Sequence, residues 1–302
     1  MTPTPGEGMR RFFLLTLIFL TACRQEITAN METPLPPVTP ILPATTEIQI
    51  IAATETPLPP ATPAPTRTPV TFPLPERITS GPINMIALGD SQTKGDGDET
   101  GRGYTVRILD GVNGVFPEST MTSLAQPGWN SDALINGDQG VLGQLPRAIT
   151  EVGTSVSQGR PAVVFVWIGV NDIWNLYTSG IVSAELEEQN ARRFEENMDE
   201  ILLGLRSAGA HTLVGLLDDL SKRPAASSLT DDARTRISAQ VSRYNAIITQ
   251  KAGQYGVLTV DFFTTDIFTN PATVSADGFH PNAAGYDLIA QKWYETLTTI
   301  LP

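Results

Sequence analysis

Residues Ala162-Val163-Val164-Phe165-Val166-Trp167-Ile168 form an unbroken apolar run. A strand with no polar face must be covered on both sides, as a central strand of a parallel sheet is. Four further short runs follow the same logic: Ile83–Leu88, Ser119–Leu124, Thr212–Leu217 and Val257–Asp261. Longer amphipathic stretches separate them. Phe194, Met198, Ile201, Leu202 and Leu205 recur at helical spacing, with Gly209 as a stop. Ala233, Ile237, Val241, Tyr244 and Ile248 repeat that spacing, with Gly253 as the expected stop. A last helix is expected after Pro281 to about Thr299, with Leu288, Ile289, Trp293 and Leu297 as its apolar face. Alternating strands and helices predict a three-layer α/β/α sandwich with a mainly parallel, flavodoxin-like sheet of about five strands.

The pattern starts near residue 76, and the expected domain spans 76–302. Upstream, Arg10 and Arg11 precede the apolar stretch Phe12–Leu20, the build of an export leader. The stretch is shorter than the ~20 residues of a spanning helix. It ends in Leu20-Thr21-Ala22-Cys23, which resembles the lipobox of bacterial lipoproteins. That resemblance implies a leader over 1–22, lipid on Cys23 and a mature chain tethered outside the cytoplasm at the membrane. Residues 24–75 hold 13 of the 24 prolines, no glycine and one aromatic, Phe72. Such a segment favours extended polyproline II, so 23–75 is expected to be a disordered stalk behind the lipid.

Composition excludes several functions. There are 20 Lys+Arg against 32 Asp+Glu, a net charge of −12, so no basic surplus exists to displace counterions from a nucleic acid. One cysteine allows no intramolecular disulfide, and the presence of only two histidines argues against a multi-histidine metal site. No cofactor or metal is expected.

Ligands of such sheets bind beyond the carboxyl ends of the strands. Three polar turns fall there: Gly89-Asp90-Ser91, Gly169-Val170-Asn171-Asp172 and Asp277-Gly278-Phe279-His280-Pro281, with Gly128 after the second strand. Covalent acyl transfer needs a nucleophile, a base, a group that orients the base, and donors for the oxyanion. Ser91 suits the first role. His280 suits the second, because His211 opens a strand and is expected only to satisfy local backbone. Asp277, three residues before His280, suits the third. The Ser91 and Gly128 N–H groups and the Asn171 amide are the expected oxyanion donors. His280-Pro281 also reads as a helix entry, with proline at the first helical position.

Together these blocks resemble the SGNH hydrolases, or GDSL esterases and lipases. Gly89-Asp90-Ser91-Gln92-Thr93-Lys94-Gly95 matches the first block, Gly169-Val170-Asn171-Asp172 the third, and Asp277-Gly278-Phe279-His280-Pro281 the last. Gln126 stands where the family usually has asparagine in the second block. The resemblance implies metal-free ester hydrolysis with Ser91, Asp277 and His280 as the catalytic set, and Ser91, Gly128 and Asn171 as the oxyanion hole. Thr93 excludes the Gly-x-Ser-x-Gly elbow of other hydrolases. Asp96-Gly97-Asp98-Glu99-Thr100-Gly101 begins like a calcium loop, but Arg107 occupies the position of the bidentate glutamate; a flexible loop is expected instead. Trp129, Trp174 and Tyr177 flank the blocks, equally suited to stacking on substrate or to packing loops. The expected substrate is a short-chain or carbohydrate O-acyl ester. The alternatives are a lipid or lysophospholipid ester and, in another class, a catalytically silent binding module.

Overall fold

The computed structural model describes residues 70–180 and 182–302. Cys23, the expected leader and the proline-rich stretch through residue 69 lie outside the described residues. The strands are β1 (Asn84–Gly89), β2 (Thr120–Ser123), β3 (Ala162–Trp167), β4 (His211–Gly215) and β5 (Leu258–Val260). They form one sheet in the order β2-β1-β3-β4-β5, and every pairing is parallel. All of β3 is buried at its centre, as its continuous apolar run requires.

The main covering helices are α2 (Gly103–Asn113), α4 (Gln144–Ser157), α6 (Ala184–Ser207), α7 (Asp231–Tyr255) and α8 (Ala283–Thr298). Shorter helices α1 (Ser91–Lys94), α3 (Ser131–Asn136) and α5 (Val170–Thr178) start just beyond strand ends. α2 and α8 pack together on one face, and α4, α6 and α7 pack on one another across the other. Each layer has its aromatic centre. Trp293 of α8 stacks on Tyr104 of α2 at 5.6 Å and meets Phe165 of β3 edge-on at 5.5 Å. Phe194 of α6 stacks on Tyr244 of α7 at 4.1 Å. Offset and edge-on pairs of this kind add roughly 0.5–1.5 kcal/mol each beyond their buried area.

The chain turns back across the sheet after β2, so β1 and β3 are neighbours whose connections leave in opposite directions. The crevice at that switch point is where a ligand fits an open α/β sheet. Ser91 follows β1 and Asn171 follows β3, one on each side of it.

Three expected details differ. α7 runs through Gly253 to Tyr255 and is capped by Gly256, whose φ of 59° is left-handed. A β-carbon there would also meet the Pro73 carbonyl oxygen at 2.0 Å, so this glycine, not the interior one, is required. Pro281 precedes α8 rather than opening it; Asn282 is the N-cap, its side chain accepting from Gly285 N–H. His280 is therefore not in the first turn of a helix. Leu288 is 40% exposed, because the buried stripe of α8 runs through Tyr286, Ile289, Trp293 and Leu297.

Residues 70–75, grouped by composition with the proline-rich stretch, are bonded to the domain. Phe72 N–H donates to the Gln254 carbonyl at 3.0 Å, and Arg206 donates to the Pro73 carbonyl at 3.1 Å while its guanidinium lies 5.6 Å over the Phe72 ring. Proline content marks an extended backbone, but the single aromatic in it decides that this end docks.

Candidate active site

The first motif shapes the turn after β1. Gly89 leaves no room for a side chain, since a β-carbon would lie 2.3 Å from both the Trp167 carbonyl oxygen and Thr93 Oγ1. Asp90 caps α1, its Oδ1 accepting from Gln92 N–H at 2.9 Å. Gly95 ends the helix with φ 98°. The result lifts Ser91 to the first helical position directly beyond the strand. Gln144, buried at the start of α4, clamps this turn from below: its Oε1 accepts from Gly89 N–H and its Nε2 donates to Gly89 O, both at 2.8 Å.

The last motif forms a tight hairpin. Val274 and Pro281 bridge it, Ser275 N–H donates to the His280 carbonyl at 2.8 Å, and Gly278 turns the tip with φ 69°. Inside it, Asp277 Oδ1 accepts from Phe279 N–H at 2.7 Å, His280 N–H at 2.9 Å and Ser275 Oγ at 2.8 Å. Its other oxygen, Oδ2, lies 2.6 Å from His280 Nδ1. A carboxylate only accepts, so Nδ1 carries the proton and Nε2 is left as an acceptor. Nε2 lies 2.8 Å from Ser91 Oγ. A continuous chain thus runs from carboxylate through imidazole to hydroxyl. Burial alone would raise the Asp277 carboxyl, but the hydrogen bonds from His280 and the two backbone N–H groups outweigh it and hold it well below the usual carboxylate range.

The third motif begins α5. Asn171 Nδ2 donates to the Trp129 carbonyl at 2.9 Å and lies 3.5 Å from Asp90 Oδ2. Gly128 has φ 79°, which favours glycine, and a β-carbon there would meet only open space. Neither the Ser91 nor the Gly128 N–H has an acceptor in the turn and loop network among the described residues. Both are free to receive one from a substrate. The loop is fixed from behind. Asp172 accepts from Ser131 N–H at 3.0 Å and from its hydroxyl, and Asn197 Nδ2 donates to Ser131 Oγ at 2.8 Å.

Two carboxyls at the strand ends sit in low-dielectric surroundings. Burial pushes Asp90 up to about 7, against the Gln92 N–H and the Arg223 charge. Burial raises Asp172 to about 6, against the bonds from Ser131. A carboxyl at 90 that is partly protonated near neutrality puts less negative charge beside the place where an oxyanion would form.

Asp98 accepts from Thr100 N–H and Oγ1, Gly103 N–H and Arg107, so its oxygens are occupied and the stretch is a bonded turn rather than a loose loop. Gly97 packs on the site: a β-carbon there would lie 2.8 Å from His280 Cβ. His211 opens β4 as expected, but its buried Nδ1 has no partner, so it does not satisfy local backbone. Burial and the nearby Arg206 charge lower its basicity. Tyr177 is buried with its hydroxyl on Glu187, and Trp174 stands edge-on to Phe279 at 4.8 Å. Both pack loops. Sequence reasoning missed Gln144, Ser131 and Arg223. Gln144 and Ser131 stand at helix starts with no local pattern to mark a contact across the fold, and Arg223 sits in a polar loop that reads as a solvated surface.

A cavity of about 400 Å³ opens from the Gly128 loop, lined by Trp129, Asn130, Asp132, Asn136, Asp138 and Asn175. A larger open depression of about 700 Å³, around Asp219, Lys222 and Arg234, contains none of the motif residues.

The chain resembles known proteins in the same region. A family model described as GDSL-like lipase/acylhydrolase matches residues 87–288. A multidomain esterase of Ruminococcus flavefaciens is 24% identical over 238 residues, covering 72% of this chain and 29% of that protein. This chain thus spans less than a third of that relative's length. An uncharacterized protein of Bacillus subtilis is 24% identical over 232 residues, covering 74% of this chain and 84% of its own. Among solved structures, the lipase Lip_vut3 from a goat rumen metagenome superposes with a TM-score of 0.54 at 16% identity, over 71% of this chain and 97% of that one, which is a likeness of fold. The family match covers all three motif turns, and the chain belongs to the GDSL-like lipase/acylhydrolase family.

Proposed function

We propose that this domain hydrolyses carboxylic esters through an acyl-enzyme on Ser91. The observation that carries the reading is the chain of contacts Asp277 Oδ2–His280 Nδ1 at 2.6 Å and His280 Nε2–Ser91 Oγ at 2.8 Å. Ser91 Oγ attacks the ester carbonyl carbon while His280 Nε2 takes its proton. Asp277 stabilises the imidazolium. The carbonyl oxygen becomes an oxyanion facing the Ser91 and Gly128 N–H groups and the Asn171 amide. Collapse expels the alcohol, which leaves with the proton from His280. Water, deprotonated by the same imidazole, then attacks the acyl group and returns Ser91 with release of the acid.

The substrate in this reading is a short-chain O-acyl ester of a polyhydroxylated alcohol such as a sugar. The cavity beside Gly128 supports it, since its amides and carboxylates match hydroxyl groups rather than an acyl chain. The test is a series of p-nitrophenyl esters of rising acyl length together with acetylated sugars. Acetyl esters should exceed octanoyl esters in kcat/KM by at least about tenfold, and Asn175→Ala should raise KM for the acetylated sugar while sparing p-nitrophenyl acetate. A rise in kcat/KM with acyl length would favour a lipid ester instead.

We further propose that the domain is tethered outside the cytoplasm by lipid on Cys23, supported by the Leu20-Thr21-Ala22-Cys23 motif behind a basic and apolar start. Several acyl chains, at ~0.8 kcal/mol per buried CH₂, would hold it firmly. Wild type should partition into detergent and Cys23→Ala into the aqueous phase; an unchanged partition of the variant overturns the tether.

A further inference from the structure

Among the described residues, Arg223 is the largest fully buried charged side chain. It lies in the loop between β4 and α7, its side chain fully buried and that of Asp218 nearly so. A buried guanidinium is retained at a cost unless each N–H finds an acceptor. Here each does. Nε donates to Asp218 Oδ2 at 2.8 Å, and Nη2 donates to Asp218 Oδ1 at 2.5 Å. Nη1 donates to the Phe279 carbonyl at 3.0 Å. With its amide turned so that oxygen faces the guanidinium, Gln92 accepts the two remaining N–H groups, at 3.0 Å from Nη1 and 2.5 Å from Nη2. Phe268 and Phe279 cover the guanidinium, each ring centroid 4.5 Å from its central carbon.

Two of these acceptors adjoin the Ser91–His280 pair. Gln92 follows Ser91, and Phe279 precedes His280. These partners approach one another from opposite ends of the chain, and the Ser91–His280 contact depends on where their two loops sit. A second bond holds the His280 loop to the same segment: Ala225 N–H donates to the Gly278 carbonyl at 2.9 Å. A planar fork with five fixed donors can serve Asp218, Gln92 and Phe279 at once, whereas an ammonium on a flexible stem cannot reproduce that geometry. We propose that Arg223 is a positioning residue that holds the Ser91 turn and the His280 hairpin in register. The inference rests on the reading that Ser91 and His280 react together.

The experiment compares wild type with Arg223→Lys, Gln92→Met, these two combined, and the double variant Asp218→Asn/Arg223→Met. Thermal melting reports the fold, p-nitrophenyl acetate gives kcat and KM, and a fluorophosphonate gives the labelling rate of Ser91. Arg223→Lys keeps the charge opposite Asp218, and the double variant removes both charges together, so neither leaves a buried carboxylate alone. Gln92→Met cuts only the Ser91 side of the link and leaves the ion pair in place. Misplacement of reacting groups by about 1 Å costs on the order of 10²-fold in rate. The expected result is therefore a 10- to 100-fold loss of kcat and of labelling rate, with KM changed less than about threefold. Arg223→Lys and Gln92→Met should also be non-additive, since each breaks the same link. If Gln92→Met, or any other variant that melts like wild type, keeps kcat and labelling within about twofold, Arg223 is only a core ion pair and the proposal fails. Absence of labelling in wild type would instead sink the Ser91 mechanism, which keeps the two failures distinct.

Discussion

Ser91→Ala abolishes ester turnover and leaves the fold intact. The expected loss in kcat is at least about 10⁴-fold, because without the hydroxyl no acyl-enzyme forms and only binding and the oxyanion donors remain. The stability change is small. One hydrogen bond to His280 is lost, and a typical bond contributes about 0.5–1.5 kcal/mol net. A fluorophosphonate should label wild type once, with Ser91 Oγ displacing fluoride at phosphorus and His280 taking the proton. Asp277 is held below the ordinary carboxylate range by His280 and backbone N–H groups. It therefore keeps its charge as the pH falls below neutrality and remains the anionic partner of the imidazole. The sign is fixed: labelling falls as pH falls, since a protonated Nε2 cannot accept the serine proton. His280→Ala suppresses labelling at neutral pH as well. Asp277→Asn weakens it less, because the imidazole survives without its anionic partner. A folded wild-type sample whose intact mass shows no adduct would rule out the covalent mechanism and favour a silent binding module.

The sheet was legible because its signal is local. The apolar run at 162–168 can only be a doubly covered strand, and it is β3 at the centre of the sheet. The three motif turns were legible for a similar reason: glycine, a capping aspartate and a short spacing are constraints within one turn. Misplaced helix ends show the limit of such reasoning. Gly253 and Gly256 differ by three positions, and only the left-handed φ at 256, with the Pro73 carbonyl where a β-carbon would lie, identifies the stop. Pro281 reads as a helix opener until Asn282 is seen to cap α8 with its side chain. Contacts between distant segments left no trace in the sequence. Arg223 stands in a run of polar residues after Asp218 and Asp219, and nothing nearby announces that Phe268, Phe279 and Gln92 will enclose it. Phe72 likewise looked like part of a spacer, although its backbone is bonded to Gln254.

Asn171→Ala lowers kcat by about 10²–10³-fold, equivalent to roughly 2.7–4 kcal/mol of transition-state stabilisation, with a smaller change in KM. Nδ2 carries two hydrogens. One is committed to the Trp129 carbonyl at 2.9 Å, which holds the loop carrying Gly128. The other meets only Asp90 Oδ2 at 3.5 Å, at the limit of a hydrogen bond, and is the one available to a substrate oxygen. A neutral donor at this place gains most when the carbonyl oxygen becomes negative, which happens only in the transition state, so the loss belongs in kcat. Asn171→Asp should be worse than alanine. It has nearly the same shape but no donor, and it would place a second carboxylate against Asp90, whose burial already disfavours charge. Asn171→Ala also frees the Trp129 carbonyl, so part of its effect could come from a displaced Gly128. Measuring Gly128→Ala separates the two: φ 79° strains any β-carbon there, although the space around it is open. If Asn171 acts only through that loop, Asn171→Ala and Gly128→Ala are non-additive and the double variant is no slower than the worse single one. If Asn171 donates to the oxyanion directly, the double variant combines the lost amide donor with a displaced N–H at position 128 and is slower than either. An effect of Asn171→Ala confined to KM would make it a residue that binds the substrate before reaction and remove it from the oxyanion hole.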